Sequence, residues 1–296
     1  MDRYEHAHSG PIYTNVHRSG TEARGDRSGS RIHSELYVLA WCQMHGVEYL
    51  GSLIDTHPQR PSEGVDDYVS CAKLLKLPSN ISQEYVEGQK RDNGAKYLES
   101  SEPFLMYDQS SRINELITPT IREQWIQRWW HDKKKKKGDI SIVVHMRRGD
   151  VWPNSHPDRY LYNSYYMDIL EFIVSRISDN YKITICTDGY SNASPATLAG
   201  KHAHETFDIF IDRFSKDNIE IKINDSNESD WIRMIEADIF IMSRSSFSFP
   251  PAIFNKGIVI YHPFWHGKLD GWLNSQDSDF YDQLDAQLAP LGKPPG

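Results

Sequence analysis

The sequence is poor in positive charge, in cysteine and in long apolar runs, and each shortage excludes a class of protein. Its 33 basic against 41 acidic side chains leave a net charge of −8, whereas a general nucleic-acid binder needs a basic face. No run approaches the roughly 18 consecutive apolar residues of a membrane-spanning helix, and the first thirty residues lack the apolar segment of a signal peptide. We therefore expect a soluble or cytoplasmic protein, either bacterial, viral or trimmed, with no membrane span and no nucleic-acid partner.

Cysteine is scarce, and an odd count does not suit a disulfide framework. Cys42, Cys71 and Cys186 lie in segments that read as helix, loop and strand, so we expect buried thiols in a reducing compartment. Apolar surface is plentiful, because 39% of the 296 residues are hydrophobic and 12% are aromatic. That share supplies one large core or two ordinary ones. No repeat period of about 20–50 residues is present, which excludes a solenoid.

A run of five lysines inside the segment HDKKKKKG, at 131–138, is the strongest local break in the chain. Adjacent like charges repel one another and resist burial, so the run reads as a solvated connector rather than a specific anion site. It predicts three parts: an N-terminal α/β domain at 1–132, a C-terminal domain at 138–275, and a final helix and tail at 276–296.

Hydrophobic periodicity and turn residues predict alternating strands and helices in both halves. Apolar strands that alternate with helices are typical of a parallel sheet covered on both faces. The second half therefore reads as a doubly wound, Rossmann-like domain. Before the lysine run, the predicted elements are a helix at 31–44, a strand at 47–55 and a helix at 119–130. After it, they are strands at 139–146, 182–188, 208–212, 238–242 and 257–263, and helices at 164–177, at 229–237 and from 248.

Polar and charged residues follow the predicted strands, which is where ligands bind in such sheets. Arg147 and Arg148 follow the first strand of the second half, and Ser245 and Ser246 follow the fourth. A guanidinium matches phosphate oxygens and keeps its charge at ordinary pH, and a helix N-terminus also attracts phosphate. The alternatives are an ion-pair network around the arginines and ordinary helix capping by the serines. The pattern predicts a phosphate site at the carboxyl edge of the sheet.

Three segments in order carry a family resemblance: HMRRGD after an apolar strand, a strand that ends in Thr187-Asp188, and EADIFIMSRSSFSFPPAIFN. Together they resemble the three-motif core of the fucosyltransferase-like glycosyltransferases, whose first motif is His-x-Arg-Arg-x-Asp. That superfamily embraces the α-1,2-, α-1,6- and protein O-fucosyltransferases, and the match covers about 140–263. The resemblance implies an α/β fold of the GT-B class with two Rossmann-like domains, in which the C-terminal domain binds the nucleotide sugar and the N-terminal domain faces the acceptor.

The resemblance also implies roles for residues at the matching positions. Arg148 would hold the nucleotide diphosphate as it leaves, with Arg147 in support. The other implied donor-binding residues are His145 and Asp238 at the base or ribose, Asp188 near the donor, and Ser245, Ser246 and Phe247 in the phosphate and nucleoside pocket. The segment GDRSGSRIHSE at 25–35 resembles the N-terminal Gly-rich loop of these enzymes. That loop would contain Gly29, Ser30 and Arg31, although Ser30 stands where several members have asparagine.

The expected reaction moves a sugar from a nucleotide sugar to a glycan hydroxyl, with inversion and without a metal. Fixed guanidinium groups and helix-end amides can stabilise the charge on a leaving diphosphate, so no cofactor is expected beyond the substrate. The Asp-x-Asp sequence at 277–279 reads as a helix N-terminus rather than a metal site. A general base would lie in the loop after the arginines, and its candidates are Asp150, His156 and Asp158.

The donor stays open between the GDP-fucose that the resemblance implies and another nucleotide sugar such as UDP-xylose. A non-catalytic nucleotide or sugar binder with the same fold is the alternative from another class. Two Arg-Gly-Asp tripeptides, at 24–26 and 148–150, would suit an adhesive protein, but the second follows a strand that reads as buried. The lack of a Gly-x-Ser-x-Gly elbow argues against a Ser-His-Asp hydrolase.

Overall fold

The computed structural model describes residues 10–17, 28–55, 65–98, 113–133, 138–149, 151–154, 156–177, 180–189 and 205–292. Contacts divide the chain into two units, Met1–Asp132 with Trp265–Leu269, and Lys133–Phe264 with Asp270–Gly296. The short segment at 265–269, which the sequence predicted to lie in the C-terminal domain, therefore belongs to the first unit. The final helix belongs to the second unit rather than standing apart.

Both units alternate strands with helices. The first unit contains β1 (Ile12–His17), α1 (Ser28–His45), β2 (Tyr49–Asp55), α2 (Val65–Leu74), β3 (Ser79–Ile81), α3 (Gln83–Asn93), β4 (Lys96–Tyr97), α4 (Ile113–Leu116) and α5 (Pro119–Trp130). The second contains β5 (Ile140–Met146), α6 (Asn163–Arg176), β6 (Tyr181–Thr187), α7 (Asp208–Phe214), β7 (Ile219–Ile223), α8 (Asn227–Glu236), β8 (Ile239–Ile241), α9 (Phe249–Phe254), β9 (Ile258–Tyr261), β10 (Leu273–Asn274) and α10 (Phe280–Leu288), followed by a 3₁₀ turn, Ala289–Leu291. None of the helices in these described ranges has the length and apolar character needed to cross a bilayer.

The first unit is built on a four-stranded sheet with the order β3-β2-β1-β4, in which every pair is parallel. Glu35 of α1 is buried beside this sheet, with its carboxylate accepting hydrogen bonds from the hydroxyls of Tyr49 (2.9 Å), Ser52 and Tyr68 (2.6 Å). Burial raises the pKa of Glu35, and these hydroxyl donors partly oppose that rise. The network joins α1, β2 and α2.

The second unit is built on a six-stranded sheet with the order β10-β9-β8-β5-β6-β7, again parallel throughout. Ile142 and Val144 of β5, Ile185 of β6 and Ile241 of β8 are fully buried in its core. Such strands carry apolar side chains on both faces because helices cover both sides of the sheet. The predicted α/β class with Rossmann-like domains is confirmed.

Local signals explain where several helices begin. Ser226 precedes α8 and accepts a hydrogen bond from the amide of Ser229 at 3.1 Å, and Thr118 does the same for Ile121 at the start of α5. Both are N-cap contacts. Proline occupies the first turn of α9, where no amide donor is needed. The Asp-x-Asp at 277–279 directly precedes α10, as predicted.

The strand predicted at 208–212 is wrong, because this segment is the helix α7. Its buried residues are Phe210 and Phe214, four apart and therefore on one helical face, whereas Ile209 is exposed. The true third strand is β7, and the sequence prediction missed it along with β1, β3, β4, β10, α2, α3 and α4. All three cysteines are buried as predicted, but Cys71 lies in α2 rather than in a loop.

Candidate functional site

The candidate site lies at the carboxyl edge of the second sheet, between β5 and β8. From β5 the chain builds outward through β6 and β7, then crosses back to pair β8 with the other side of β5. Strand order therefore reverses between β5 and β8, and open α/β sheets bind ligands in the crevice at such a reversal. The two loops that leave these strands are the arginine segment after β5 and the segment 243–248 after β8.

His145, near the end of β5, is a buried imidazole held by the loop after β8. Its Nδ1 lies 2.9 Å from the Ser243 hydroxyl and 2.5 Å from the Ser248 hydroxyl, and its ring centroid is 5.2 Å from that of Phe247. Burial, and then the charges of Arg147 and Arg148, lower the pKa of His145 to about 3. The imidazole is therefore neutral at ordinary pH and offers hydrogen bonds without adding a third charge.

Arg148 follows β5 and is only 1% exposed. Its Nη2 donates to the Leu161 carbonyl at 3.0 Å and to Asn163 Oδ1 at 2.9 Å. Its Nη1 donates to the Arg147 carbonyl at 3.0 Å, and its guanidinium carbon lies 4.1 Å from the centroid of the Tyr160 ring. Its Nε–H has no hydrogen-bond acceptor among the described residues. Arg148 thus donates to neutral acceptors and forms no ion pair with a carboxylate that the structure describes, although the Glu205 carboxylate contacts its neighbours Asn163 and Tyr160.

The enclosed position of Arg148 differs from its expected role as the group that holds the diphosphate. A side chain with 1% exposure reaches no ligand in this conformation. Arg147, expected only in support, is half-buried and so is the more accessible of the two. In this conformation Arg147 is therefore the guanidinium that a ligand could reach, and the hydrogen bonds of Arg148 hold the loop after β5.

The predicted residue Asp188 lies beside the arginine segment. Gly149 has φ +73°, and a Cβ added there would lie 2.9 Å from the Asp188 Cβ. The close approach of the loop after β5 to the end of β6 therefore requires glycine. Asp188 is half-buried at this edge of the sheet, and the next residue, Gly189, donates its amide to Asn224 Oδ1 at 2.7 Å.

The predicted residues Ser245, Ser246 and Phe247 form a turn between β8 and α9. Ser245 is buried, and its hydroxyl accepts a hydrogen bond from the Phe247 amide at 3.2 Å. Ser246 and Phe247 are half-buried. The helix begins only at Phe249, and the amide of Ser248 already donates to the Ser245 carbonyl at 3.2 Å. Ser245 therefore stabilises a turn that precedes the helix.

Asp238 lies at the opposite edge of the sheet, which contradicts its predicted place at the base or ribose. It precedes β8, and its Oδ2 accepts a hydrogen bond from the amide of Ser141, near the start of β5, at 2.9 Å. Ser243, at the site, is five residues further along, which corresponds to roughly 16 Å of extended chain. Asp238 thus ties together the amino ends of β5 and β8.

The candidates for the general base lie in or near one turn. The carbonyl of His156 accepts the amides of Arg159 and Tyr160, both at 3.0 Å. His156 is half-buried, whereas the Asp158 carboxylate is 73% exposed and lies 3.9 Å from the Arg159 guanidinium. Asp150 is outside the described residues. Both His156 and Asp158 stay candidates.

The predicted Gly-rich loop residues belong to the first unit and lie in a helix. Gly29, Ser30 and Arg31 fall in the first turn of α1, where the Ser30 carbonyl accepts the Ser34 hydroxyl at 3.2 Å. The prediction of a loop at these positions is wrong. The segment has glycine and serine at its start, but Ile32 and Leu36 supply a buried helical face four residues apart.

Several site residues were missed by the sequence reasoning. Asn163 is fully buried at the start of α6. Its backbone amide donates to Glu205 Oε2 at 2.7 Å, and its side-chain Nδ2 donates to the Thr206 carbonyl at 2.8 Å. It thereby joins the support of Arg148 to a segment far along the chain. Arg244, inside the third motif, contacts His262 at the end of β9. No local pattern marks either contact, since both partners are distant in sequence.

A second polar cluster, on α8, includes a buried carboxylate. Asp230 accepts a hydrogen bond from Arg233 Nη1 at 2.9 Å, and Arg233 Nη2 also donates to Asp225 at 2.6 Å. Burial raises the pKa of Asp230, while Cys186 and Arg233 oppose the rise. Burial also raises the pKa of the Cys186 thiol. Within the part of the chain that the structure describes, no group of three or more histidine, cysteine or acidic side chains is arranged to hold a metal ion.

No family model and no curated protein matches this chain. Among solved structures, the chain is similar to the glycotransferase of kitacinnamycin, with 11% identity and a TM-score of 0.34 over 98% of this chain and 92% of that one. It is also similar to POFUT1 in complex with GDP, with 12% identity and a TM-score of 0.31 over 82% of this chain and 70% of that one. The fold described above rests on this chain's own strand order and pairing.

Proposed function

We propose that this protein is a glycosyltransferase that moves a sugar from a nucleoside-diphosphate sugar to a hydroxyl of a glycan. The observation that carries the proposal is the topological switch point between β5 and β8, whose loops bring Arg147, Arg148 and the turn 245–247 to one edge. Guanidinium groups and hydroxyls at such a crevice suit a diphosphate. The arginines of the first motif, Asp188 of the second and the segment 243–247 of the third lie at this same edge, which supports the class of reaction.

The arginines act at the step in which the donor loses its diphosphate. The bond from the anomeric carbon to the diphosphate oxygen breaks, its electron pair stays on that oxygen, and the acceptor oxygen bonds to the anomeric carbon. Negative charge therefore grows on the diphosphate, where Arg147 would contact it. Neutral acceptors hold Arg148 in place, so its positive charge would stabilise the diphosphate without any movement of its side chain. Charges that are fixed in advance stabilise such a transition state by several kcal/mol.

Inversion places the acceptor opposite the diphosphate, so the acceptor needs a base to take its proton. His156 or Asp158 would accept that proton in the turn after the arginines. His145 is a poor base at neutral pH because its pKa is about 3. We propose it instead as a neutral hydrogen-bonding group in the donor pocket, consistent with its contacts to Ser243 and Ser248.

GDP-fucose is the donor that we propose first, on the motif resemblance, and UDP-xylose is the alternative. A metal is not required by the proposed mechanism because guanidinium groups supply the positive charge at the diphosphate. Transfer should therefore survive a chelator, and a strict manganese requirement would contradict this part of the proposal.

The test is a thermal unfolding series with GDP, UDP, GDP-fucose and UDP-xylose. A ligand that binds only the folded state raises Tm, so we expect one nucleotide family to stabilise the protein selectively. Arg147→Gln should lose that stabilisation. Arg176→Gln, which removes an exposed guanidinium paired with Asp285 at 2.7 Å, should keep it. No stabilisation by any of the four would contradict the proposal.

Turnover separates an enzyme from a binder with the same fold. The stabilising nucleotide sugar is incubated with a panel of glycan acceptors, and release of the nucleotide diphosphate is measured. We expect acceptor-dependent release by the native chain and none by Arg147→Gln. Tight binding without release for any acceptor would favour the non-catalytic alternative.

A further inference from the structure

Arg244 is a third guanidinium at the carboxyl edge of the second sheet. It follows β8 and lies between Ser243, which contacts His145, and the buried Ser245. Its Nε donates to His262 Nδ1 at 3.1 Å, and its Nη1 donates to the Asp158 carbonyl at 3.0 Å. Arg244 is half-buried and forms no ion pair with a carboxylate of the described residues. Its remaining Nη protons have no acceptor among these contacts.

His262 fixes the direction of the Arg244 side chain. It is 5% exposed at the end of β9, with its ring centroid 5.0 Å from that of Tyr165. Because an arginine Nε can only donate, its contact at 3.1 Å requires an unprotonated His262 Nδ1 in a neutral ring. This nitrogen also lies 3.3 Å from the Pro263 carbonyl, the longer of its two contacts. Burial, and then the charge of Arg244, lower the pKa of His262 to about 4, which agrees with this assignment. A rigid neutral acceptor thus orients the guanidinium without cancelling its charge.

The loop 156–163 is held between two guanidinium groups. Arg148 donates to the Leu161 carbonyl, and Arg244 donates to the Asp158 carbonyl three residues earlier. Both charges are bonded to neutral oxygens and nitrogens only, among the described residues. Like charges at one edge repel each other, and partly buried charges without a counter-ion are costly. An anion bound at this edge would relieve both costs.

We propose that Arg244 binds the diphosphate of the donor, and that His262 is the positioning residue that aims it. The proposal rests on the function proposed above and adds a residue for which the motif resemblance implies no role. A diphosphate fits the site better than a single carboxylate because Arg147 and Arg244 leave the two adjacent strands β5 and β8. Two cations on opposite sides of the switch point suit a ligand with two phosphate groups.

The test is isothermal titration of the full chain with GDP, UDP and inorganic pyrophosphate. Arg244→Gln should weaken binding of all three by a similar factor, about 10- to 100-fold, as expected for a charged hydrogen bond to phosphate. Arg244→Lys keeps the positive charge but lacks the planar pair of N–H donors of the guanidinium, so its affinity for the three ligands should fall about 3- to 10-fold. Arg176→Gln is the matched control and should bind like the native chain.

Each outcome decides the proposal. Native affinity in Arg244→Gln, or a loss confined to one of the two nucleotides, would overturn it. Should Arg244→Gln fail to fold, Arg244→Lys decides, because unchanged affinity there would show that the guanidinium makes no two-donor contact to phosphate, which overturns the proposal. If the native chain binds none of the three ligands, the proposed function itself fails. If the native chain binds these ligands and both Arg244 variants bind them with the native affinity, the proposed function stands and only the assignment of Arg244 to the diphosphate fails.

The part played by His262 is tested by rescue. His262→Phe removes the acceptor and should weaken pyrophosphate binding in the direction of Arg244→Gln. His262→Gln supplies an oxygen that can accept from Arg244 Nε, and should recover most of the affinity. Equal loss in both variants would show that the imidazole does not act by orienting Arg244.

Discussion

Arg148 is a charged side chain almost wholly inside the protein, and its contacts define its role at the scale of single residues. It joins the Leu161 carbonyl and Asn163 to the end of β5, with Tyr160 packed against its face. Each of these partners belongs to the segment that also carries the candidate bases. Arg148 therefore organises the loop on which the proposed proton transfer depends.

Arg148→Ala should destabilise the fold as well as impair the proposed activity. The variant leaves a cavity and removes the donors to a buried carbonyl and a buried amide oxygen, which costs about 2–4 kcal/mol. Urea unfolding measures the change. Arg147→Ala, at a half-buried position, is the comparison and should cost less than about 1 kcal/mol. Equal unfolding free energies for Arg148→Ala and the native chain would contradict the enclosed position.

The depressed pKa of His145 makes stability depend on pH. Folding holds this pKa at about 3, below the ordinary 6.5, so the unfolded chain binds a proton that the folded chain does not. The free energy of unfolding should therefore fall as the pH falls from 6.5 towards 3. His145→Gln lacks this contribution. The difference in free energy of unfolding between the native chain and His145→Gln should therefore narrow as the pH falls, by up to about 1.4 kcal/mol per pH unit.

Urea unfolding of both proteins between pH 7 and pH 4.5 measures that narrowing. Parallel pH curves for the two proteins would show that His145 titrates alike in the folded and unfolded states. Other histidines titrate in both proteins, so they cancel in the comparison.

At the scale of elements, the site depends on how closely the ends of neighbouring strands approach. Gly149 brings the loop after β5 against Asp188 at the end of β6, and its φ of +73° is one that few other residues adopt. Ser243 and Ser248 bring the loop after β8 against His145. Three parallel strands thus contribute to one edge.

Gly149→Ala should destabilise the protein by about 2–4 kcal/mol and weaken nucleotide binding. It adds a clash with the Asp188 Cβ, at 2.9 Å, to the cost of a positive φ. Gly271→Ala separates the two effects, because Gly271 has φ +84° with nothing within 4 Å of an added Cβ. That variant should lose only about 1 kcal/mol. Equal losses at both glycines, measured by thermal unfolding, would show that the approach to Asp188 is not tight.

At the scale of the whole molecule, the two units are not continuous in sequence. Trp265–Leu269 lies between β9 and β10 of the second unit, yet it belongs to the first. There, His266 is fully buried, with its ring centroid 5.4 Å from that of His33, and Leu269 is 2% exposed. A cut at the lysine run therefore does not separate two complete domains.

A fragment of residues 133–296 should consequently expose His266 and Leu269 and associate through them and Trp265, because His266 and Leu269 are buried in the full chain as part of the first unit. Replacing 265–269 by a glycine-serine segment removes these apolar groups and should raise the monomeric fraction in size-exclusion chromatography. Equal monomer content in the two fragments would show that the segment buries itself within the second unit.

The strands of the second sheet could be predicted because continuous apolar runs between helices allow few other folds. The third strand was instead predicted at 208–212, because the apolar residues of 207–214 suit strand alternation and helical spacing alike. Only the burial of Phe210 and Phe214 shows that this segment is a helix. The donor contact of Asp238 was implied by the resemblance alone. The predicted strand at 238–242 already placed Asp238 at its amino end, away from the carboxyl edge where ligands bind.

By itself, the sequence determined the parallel α/β architecture of the second unit and the strand ends that carry its arginines, because both depend on residues close together in the chain. Tertiary structure alone decided that Arg148 is enclosed, that His262 aims Arg244, and that 265–269 belongs to the first unit. Each of these depends on contacts between residues far apart in the chain, and burial and charge pairing are properties of such contacts rather than of local sequence.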